Sequence, residues 1–506
     1  MQKDINFILS KDYDQREFIR ELQDQYLIQE EKTYSECYVY YDTFDWRLYN
    51  KSLILCSTAQ TLLLQSLDTH TVLERATITA PPVFLSDIPS GSLQEKVAPI
   101  IAMRALLTLF AMDTQCTPIR ILNNDAKTVV RLLCETGTMA EAPDAQPFPT
   151  ILWLKPVRGY AKEARRLSKW LTNKGLLLSH DHLYVQGLAA VEKHPGAYSS
   201  KIRLQLQPTL RADEATKVIL RSLFHVIKCN EEGIKNDIDT EFLHDFRVAI
   251  RRTRSALGQI KGVFPADVTA RFQKDFAYLG SMTNRVRDLD VYLLHKECYT
   301  ALLPAPVRPD IAPLFVHLQR ERTKALRTLV RRLRSKTYAD ILRRWEAFLT
   351  QPPVEDASAA NASRPIIAVA RKRIRRRCRS VVQLGTDLLA ETDSQRLHTL
   401  RIACKKLRYV LEFFASLFPG KKTALLVEHL RTLQDNLGRW HDLVVQQEDL
   451  RHFAATFSGP DQKAHNTLQA IDSLISILEE EKQTVGQALP AIFAAFTAQA
   501  AHHRVV

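Results

Sequence analysis

A histidine followed by a column of cations occurs twice in this 506-residue chain, at a constant offset of 154 positions. The first copy is His244, Arg247, Arg251, Arg252 and Arg254, and the second is His398, Arg401, Lys405, Lys406 and Arg408. The same offset carries Leu257 onto Leu411, Phe264-Pro265 onto Phe418-Pro419, Leu279 onto Leu433, Arg285 onto Arg439 and Asp288 onto Asp442. Register held over more than 40 residues without an insertion implies one structural unit used twice. Cationic positions are repeated together with apolar ones, so a binding face was duplicated along with a packing face.

Charge is distributed in the same sense. Residues 1–205 contain 23 of the 70 Lys+Arg and 23 of the 56 Asp+Glu, leaving 47 and 33 for residues 206–506, which therefore carry the whole formal charge of +14. That half is expected to meet an anionic partner. The length predicts two or three domains, and 45% hydrophobic with 25% charged residues is a globular composition. From Asp213 onward few glycines interrupt Leu, Ala and Arg at three- and four-residue spacing, which predicts long helices. Breaks fall at 304–313 and 352–365; the second, rich in Ala, Ser and Asn, reads as a loose connector between two helical bundles in series.

Residues 1–205 read as α+β. Short apolar runs at 52–56, 61–64 and 71–73 separated by polar turns predict antiparallel strands, 161–171 has helical spacing, and 80–82 and 143–149 read as loops. The domain boundary is expected at 205–211, which contains Pro208. The eight cysteines form no CxxC pair, residues 1–10 show no apolar segment behind a basic start, and the longest apolar run, 97–112, is interrupted by Arg104. These features predict a reduced, cytoplasmic setting and no association with a membrane.

On a helix turning about 100° per residue, Arg247, Arg251 and Arg254 fall within roughly 80° of His244. Phe246, Ala249, Leu257, Ile260 and Phe264 centre on the other side, and Leu400, Ala403, Leu411 and Phe414 repeat that packing face in the second copy. Two further stripes add cations: Arg320, Lys324, Arg327, Arg331 and Arg334 on one helix, and Lys372, Arg375, Arg376 and Arg379 within a segment basic at seven of nine positions. Like charges at i, i+4 cost a helix about 0.2–0.5 kcal/mol a pair, a repulsion that a polyanion relieves. The competing reading is a set of solvated faces, or arginines paired inside each bundle with carboxylates such as Asp288 and Asp442. A metal site on His244 and His398 is not expected, because cations crowd both histidines.

At these residues the chain resembles the CHAD family, the conserved-histidine alpha-helical domain. The resemblance rests on His244-Asp-Phe-Arg-Val-Ala-Ile-Arg-Arg-Thr-Arg254, Arg285-Val-Arg-Asp288-Leu-Asp290, Leu397-His-Thr-Leu-Arg-Ile-Ala-Cys-Lys-Lys-Leu-Arg-Tyr409 and Leu433-Gln-Asp-Asn-Leu-Gly438 followed by His441-Asp442. It covers 208–506 and implies two four-helix bundles related by a pseudo-twofold axis, with repeat units at about 208–350 and 360–506. It also implies that the facing basic surfaces bind inorganic polyphosphate, a role the motif match carries onto the ten residues of the two columns, and an association with polyphosphate granules. No cofactor is implied.

The N-terminal residues are similar to the CYTH family of triphosphate tunnel enzymes. The similarity covers about 1–175, through Tyr40-Tyr-Asp-Thr-Phe-Asp-Trp-Arg-Leu48 and Trp153-Leu-Lys-Pro-Val-Arg-Gly159. It implies an antiparallel barrel whose inward carboxylates hold a divalent metal and whose inward Arg and Lys hold triphosphate. Here the opening Glu-x-Glu-x-Lys pattern reads Asp4-Ile5-Asn6-Phe7-Ile8, apolar stretches at 53–57 and 62–65 replace basic positions, and 150–155 keeps Lys155 without glutamates. The expectation is a degenerate domain over 1–205 with no catalytic residues.

The leading functional expectation is thus a non-catalytic protein that binds polyphosphate, with arginine forks and lysine charges along a flexible polyanion and histidines binding best when protonated. The alternatives are a residual metal-dependent triphosphate or polyphosphate hydrolase in the N-terminal domain, and a nucleic-acid-binding protein. The basic helices lack the interleaved aromatics that stack on single-stranded bases.

Overall fold

Alternating apolar residues along short strands give the N-terminal sheet two faces, each needing its own cover. The elements are β1 (Ile5–Ile8), α1 (Gln15–Gln25), β2 (Leu27–Glu30), β3 (Tyr34–Thr43), β4 (Leu53–Ser57), β5 (Thr61–Ser66), β6 (Val72–Thr77), α2 (Ser92–Ile101), β7 (Leu106–Leu122), β8 (Thr128–Met139), β9 (Ile151–Pro156), α3 (Ala161–Asn173), β10 (Leu177–Ser179) and α4 (Leu183–Ala190). The computed structural model describes residues 5–9, 14–69, 71–142, 144, 146–179, 183–352, 356, 358–390, 394–456 and 462–502. It divides into two units, Met1–Ser199 and Ser200–Val506.

The sheet is antiparallel in the order β10-β1-β9-β8-β7-β3-β4-β5-β6, with β2 added on β7. Among the described residues it is an open path ending on β10 and β6. One face packs Phe7, Leu132, Leu152 and Leu154 against Phe18 and Leu22 of α1 and Leu167 and Leu171 of α3. The other carries Tyr40, Ile54, Cys56, Phe110, Met112 and Trp153, closed over by Leu183, Tyr184 and Leu188 of α4. Gly187 lets α4 lie flat on β7, since a Cβ there would run into the Phe110 ring. The turn after β3 is built on Asp42, whose carboxylate is buried and accepts from the backbone N–H groups of Thr43, Leu48 and Tyr49 at 2.7, 3.0 and 2.9 Å.

The second unit is helical: α5 (Ala212–Lys235), α6 (Thr240–Gln259), α7 (Ala266–Met282), α8 (Asn284–Leu294), α9 (Lys296–Leu302), α10 (Ala312–Leu333), α11 (Lys336–Thr350), α12 (Ile366–Ala390), α13 (Ser394–Phe413), α14 (Lys421–Thr456) and α15 (Gln462–His502). The 154-residue offset maps α6 onto α13 end to end and starts α12 at the counterpart of the first residue of α5. The third and fourth helices differ between copies. α7 and α8, separated at Thr283, correspond to the single α14, and α10 and α11, separated at Arg334-Ser335, correspond to the single α15. Pro490, the counterpart of Lys336 at the start of α11, lies inside α15.

Sequence punctuation accounts for the ends. Asp239 caps α6 by accepting from Glu241 N and Phe242 N, Ser335 caps α11 at Tyr338 N, and Pro265 and Pro419 precede α7 and α14. The first copy's core centres on Trp345 of α11, edge-on to Phe272 and Phe276 of α7 at centroid distances of 4.7 and 4.8 Å. Arg322, which is outside both basic stripes, lies inside the fold: it donates to Asp290 Oδ1 at 2.7 Å and to both carboxylate oxygens of Asp237 at 2.7 and 2.6 Å.

The two copies follow one another along the chain and share a core: one apolar cluster joins Tyr292, Tyr299, Ile311 and Phe315 of the first to Leu443, Leu450, Phe453, Ile471 and Leu474 of the second. One expectation needs correction: 352–365 is not a loose connector over its described length. Asn361 N donates to Gly262 O, Ala212 N to Arg364 O and Ile366 N to Leu210 O, while Ala359 and Ala362 are buried. Those two alanines are buried where the segment turns back onto the start of α5, and Asp213 N donates to Ala362 O there. Residues 353–355 and 357 of that segment lie outside the described residues, as do 143 and 145 of the expected loop at 143–149.

Candidate anion-binding trough

The predicted apolar faces are both inside: Phe246, Ala249, Leu257, Ile260 and Phe264 are buried in the first copy, and Leu400, Ala403, Leu411 and Phe414 in the second. Burying those faces turns the cation columns outward. Because α6 and α13 pack against each other, the two columns meet. Between the helices lies a cavity of about 490 Å³, lined by Arg251, Arg254, Ser255 and Gln259 of α6, Gln273 of α7, and Ile402, Lys405, Lys406 and Tyr409 of α13. Arg251, Arg254, Lys405 and Lys406 make no ion pair among the described residues. Gln259, only 6% exposed, leaves its Oε1 without a hydrogen-bond partner in the cavity wall. Four cations around an open volume suit an anion carrying several oxygens.

The remaining column residues are engaged. Arg247 Nη1 donates to Thr283 Oγ1 at 2.7 Å and Asn284 Oδ1 at 2.8 Å, at the break between α7 and α8. Its counterpart Arg401 faces Asp442 at 3.5 Å. Arg252 Nη2 donates to Glu412 Oε2 at 2.9 Å, Arg408 Nε lies 3.3 Å from Glu412 Oε1, and Arg252 Nη1 holds the Ser200 carbonyl at 2.8 Å. Glu412 therefore ties a cation of each copy to one carboxylate. Its counterpart in the first copy is Gly258, so Arg254, unlike Arg408, has no carboxylate one turn away. His244 and His398 are half-buried at the heads of the columns.

Crowding shows in the proton affinities. Burial, then Arg401 and Arg251, holds Lys405 down at about 8. Burial and Arg251 lower Arg247 to about 10, and burial lowers Arg401. Among the described residues no group of three or more His, Cys, Asp or Glu side chains is placed to hold a metal ion.

The stripes Arg320, Lys324, Arg327, Arg331 and Arg334, and Lys372, Arg375, Arg376 and Arg379, are exposed on α10, at its C-terminal end and on α12, and none lines the cavity. Lys324 pairs with Glu321. Sequence reading missed Ser255, Gln259, Gln273, Ile402 and Tyr409; a cavity lining assembled from three helices leaves no spacing pattern in the chain.

In the first unit, Asn6 is buried in β1 opposite Trp153, and Asp4 lies outside the described residues. Trp153 Nε1 donates to Glu135 at 2.8 Å, and burial raises the Glu135 carboxyl. The face that bears Trp153 is filled by aromatic and aliphatic side chains beneath α4. No helix among the described residues is long and apolar enough to cross a membrane.

Residues 218–451 match the CHAD domain family model. Among solved structures, the crystal structure of the CHAD domain from the plant Ricinus communis is similar at 25% identity, over 60% of this chain and 98% of that one, with a TM-score of 0.49. PptA from Streptomyces chartreusis is similar at 16% identity, over 56% of this chain and 99% of that one, with a TM-score of 0.43. No curated protein matches the chain. The helical unit of this chain thus carries a CHAD domain over residues 218–451.

Proposed function

We propose that the chain binds inorganic polyphosphate, without chemistry of its own, in the trough between α6 and α13. The observation that carries the reading is the convergence of Arg251 and Arg254 from one copy with Lys405 and Lys406 from the other on a single cavity. Polyphosphate is a flexible polyanion, so it threads a cleft between two cation columns more readily than a stiff duplex does. In this reading His244, Arg247, His398 and Arg401 extend the contact along the columns, while Arg252 of α6 ties the two helices together through Glu412, which Arg408 shares along α13. Residues 1–205 are read as a degenerate CYTH-like domain, and a cytoplasmic location beside polyphosphate granules follows from the ligand.

The test is a titration of the full chain with long-chain polyphosphate, single-stranded nucleic acid and duplex DNA at matched phosphate and salt. Polyphosphate should bind at least about tenfold more tightly than either competitor, and Arg251→Ala with Arg254→Ala should remove most of that advantage. Equal affinity for all three polyanions would leave a generic anion binder in its place.

A further inference from the structure

His441 of α14 is absent from both cation columns, yet its ring lies against His398 of α13 at a centroid distance of 5.2 Å and an interplanar angle of 47°. Around the pair stand Arg401 and Lys405 from α13, while Asp442, the next residue on α14, supplies the one opposing charge among these neighbours. Arg251 of α6 faces both Arg401 and Lys405. Arg439, also on α14, is turned to Glu481 of α15. The repeat supplies a control inside the same molecule. Position 441 corresponds to 287, where the first copy has Arg287, set near Arg251 and near Arg247, the counterpart of Arg401. The third helix of each copy thus adds one basic group to the same place in the trough. In the first copy that group is permanently charged, and in the second it is an imidazole.

We propose that His398 and His441 form a proton-coupled phosphate subsite, so that the second copy's half of the trough tightens more steeply as pH falls than the first copy's half, where Arg287 stands in place of His441. The inference rests on the polyanion reading above and deepens it. In the free protein, burial and then Arg401 lower His441 to about 4, so at neutral pH it is uncharged and donates one N–H. A phosphate entering beside the two rings brings negative charge against the same groups and reverses the bias. His441 then takes a proton from solvent, becomes an imidazolium and donates from both nitrogens to phosphate oxygens. Binding and proton uptake are linked, so each proton taken up changes affinity by at most about tenfold per pH unit.

The experiment is calorimetric titration of the full chain with linear polyphosphate of defined length, between about pH 6 and about pH 8, in buffers of different ionisation enthalpy. Wild type should bind more tightly at the acid end, with a buffer-dependent heat that reports proton uptake. His441→Gln should bind more weakly at the acid end with a shallower slope. His441→Arg, which makes the second copy resemble the first, should bind tightly with a shallower slope than wild type. Terminal phosphates titrate identically against all three proteins, so the differences between variants isolate the histidines. Tight wild-type binding with no proton uptake, or one slope common to all three, overturns the subsite and leaves the polyanion reading standing. Wild type that binds no polyphosphate at either pH overturns that reading and the subsite with it.

Discussion

Replacing Lys405 by methionine should stabilise the free protein and weaken its ligand binding. Lys405 is half-buried between Arg401 and Arg251, which together with burial bring it from an ordinary 10.5 to about 8. At about 1.4 kcal/mol for each tenfold change in protonation, that fall represents about 3 kcal/mol of unfavourable charge in the folded state. Salt and partial solvent access screen part of it, leaving about 1–2 kcal/mol to be recovered in Lys405→Met, which keeps the apolar stem. The sign follows from linkage. Between about 8 and 10.5 the unfolded chain binds the proton that the folded chain releases, so wild-type stability gains with rising pH across that window. The variant's advantage is therefore complete below about pH 8 and closes as pH approaches 10.5. Urea denaturation at several pH values measures both proteins, and polyphosphate titration at neutral pH should show about a tenfold to hundredfold loss of affinity for the variant. A variant less stable than wild type at neutral pH, or a stability difference that ignores pH, would refute the view that the trough is a strained cluster of cations awaiting an anion.

Glu412→Gln removes the carboxylate shared by Arg252 and Arg408 and should cost about 1–3 kcal/mol in chemical denaturation while raising polyphosphate affinity; unchanged stability counts against the clamp. Arg322→Ala strands Asp290, which is 1% exposed, and should cost about 3–5 kcal/mol, read as a large fall in denaturation midpoint. The full chain incubated with triphosphate and Mg²⁺ or Mn²⁺ should release no phosphate, since Asn6 and Trp153 occupy the strand face that a tunnel enzyme lines with carboxylates; turnover abolished by Lys155→Ala would overturn this.

Much of the helical architecture was legible before any coordinates. The 154-residue repeat and the three- and four-residue spacing of Leu, Ala and Arg placed α6 and α13, and periodicity alone set which side of each would be buried. It also placed Arg251, Arg254, Lys405 and Lys406 on the outward side, because a regular helix fixes the angle between any two of its residues. Periodicity is silent on what lies opposite a helix. That Arg408 is held by Glu412 while its counterpart Arg254 has only Gly258 one turn on, that Arg252 reaches a carboxylate 160 residues away, and that His441 lies against His398 were decided by how α6, α13 and α14 pack. The small residues of 358–365 misled for the same reason: composition suggested slack, and contact with the start of α5 made it a strap. Secondary structure arises from neighbours in sequence, whose chemistry can be read along the chain. The trough arises from neighbours in space, and burial and charge there depend on partners that only the packed fold supplies.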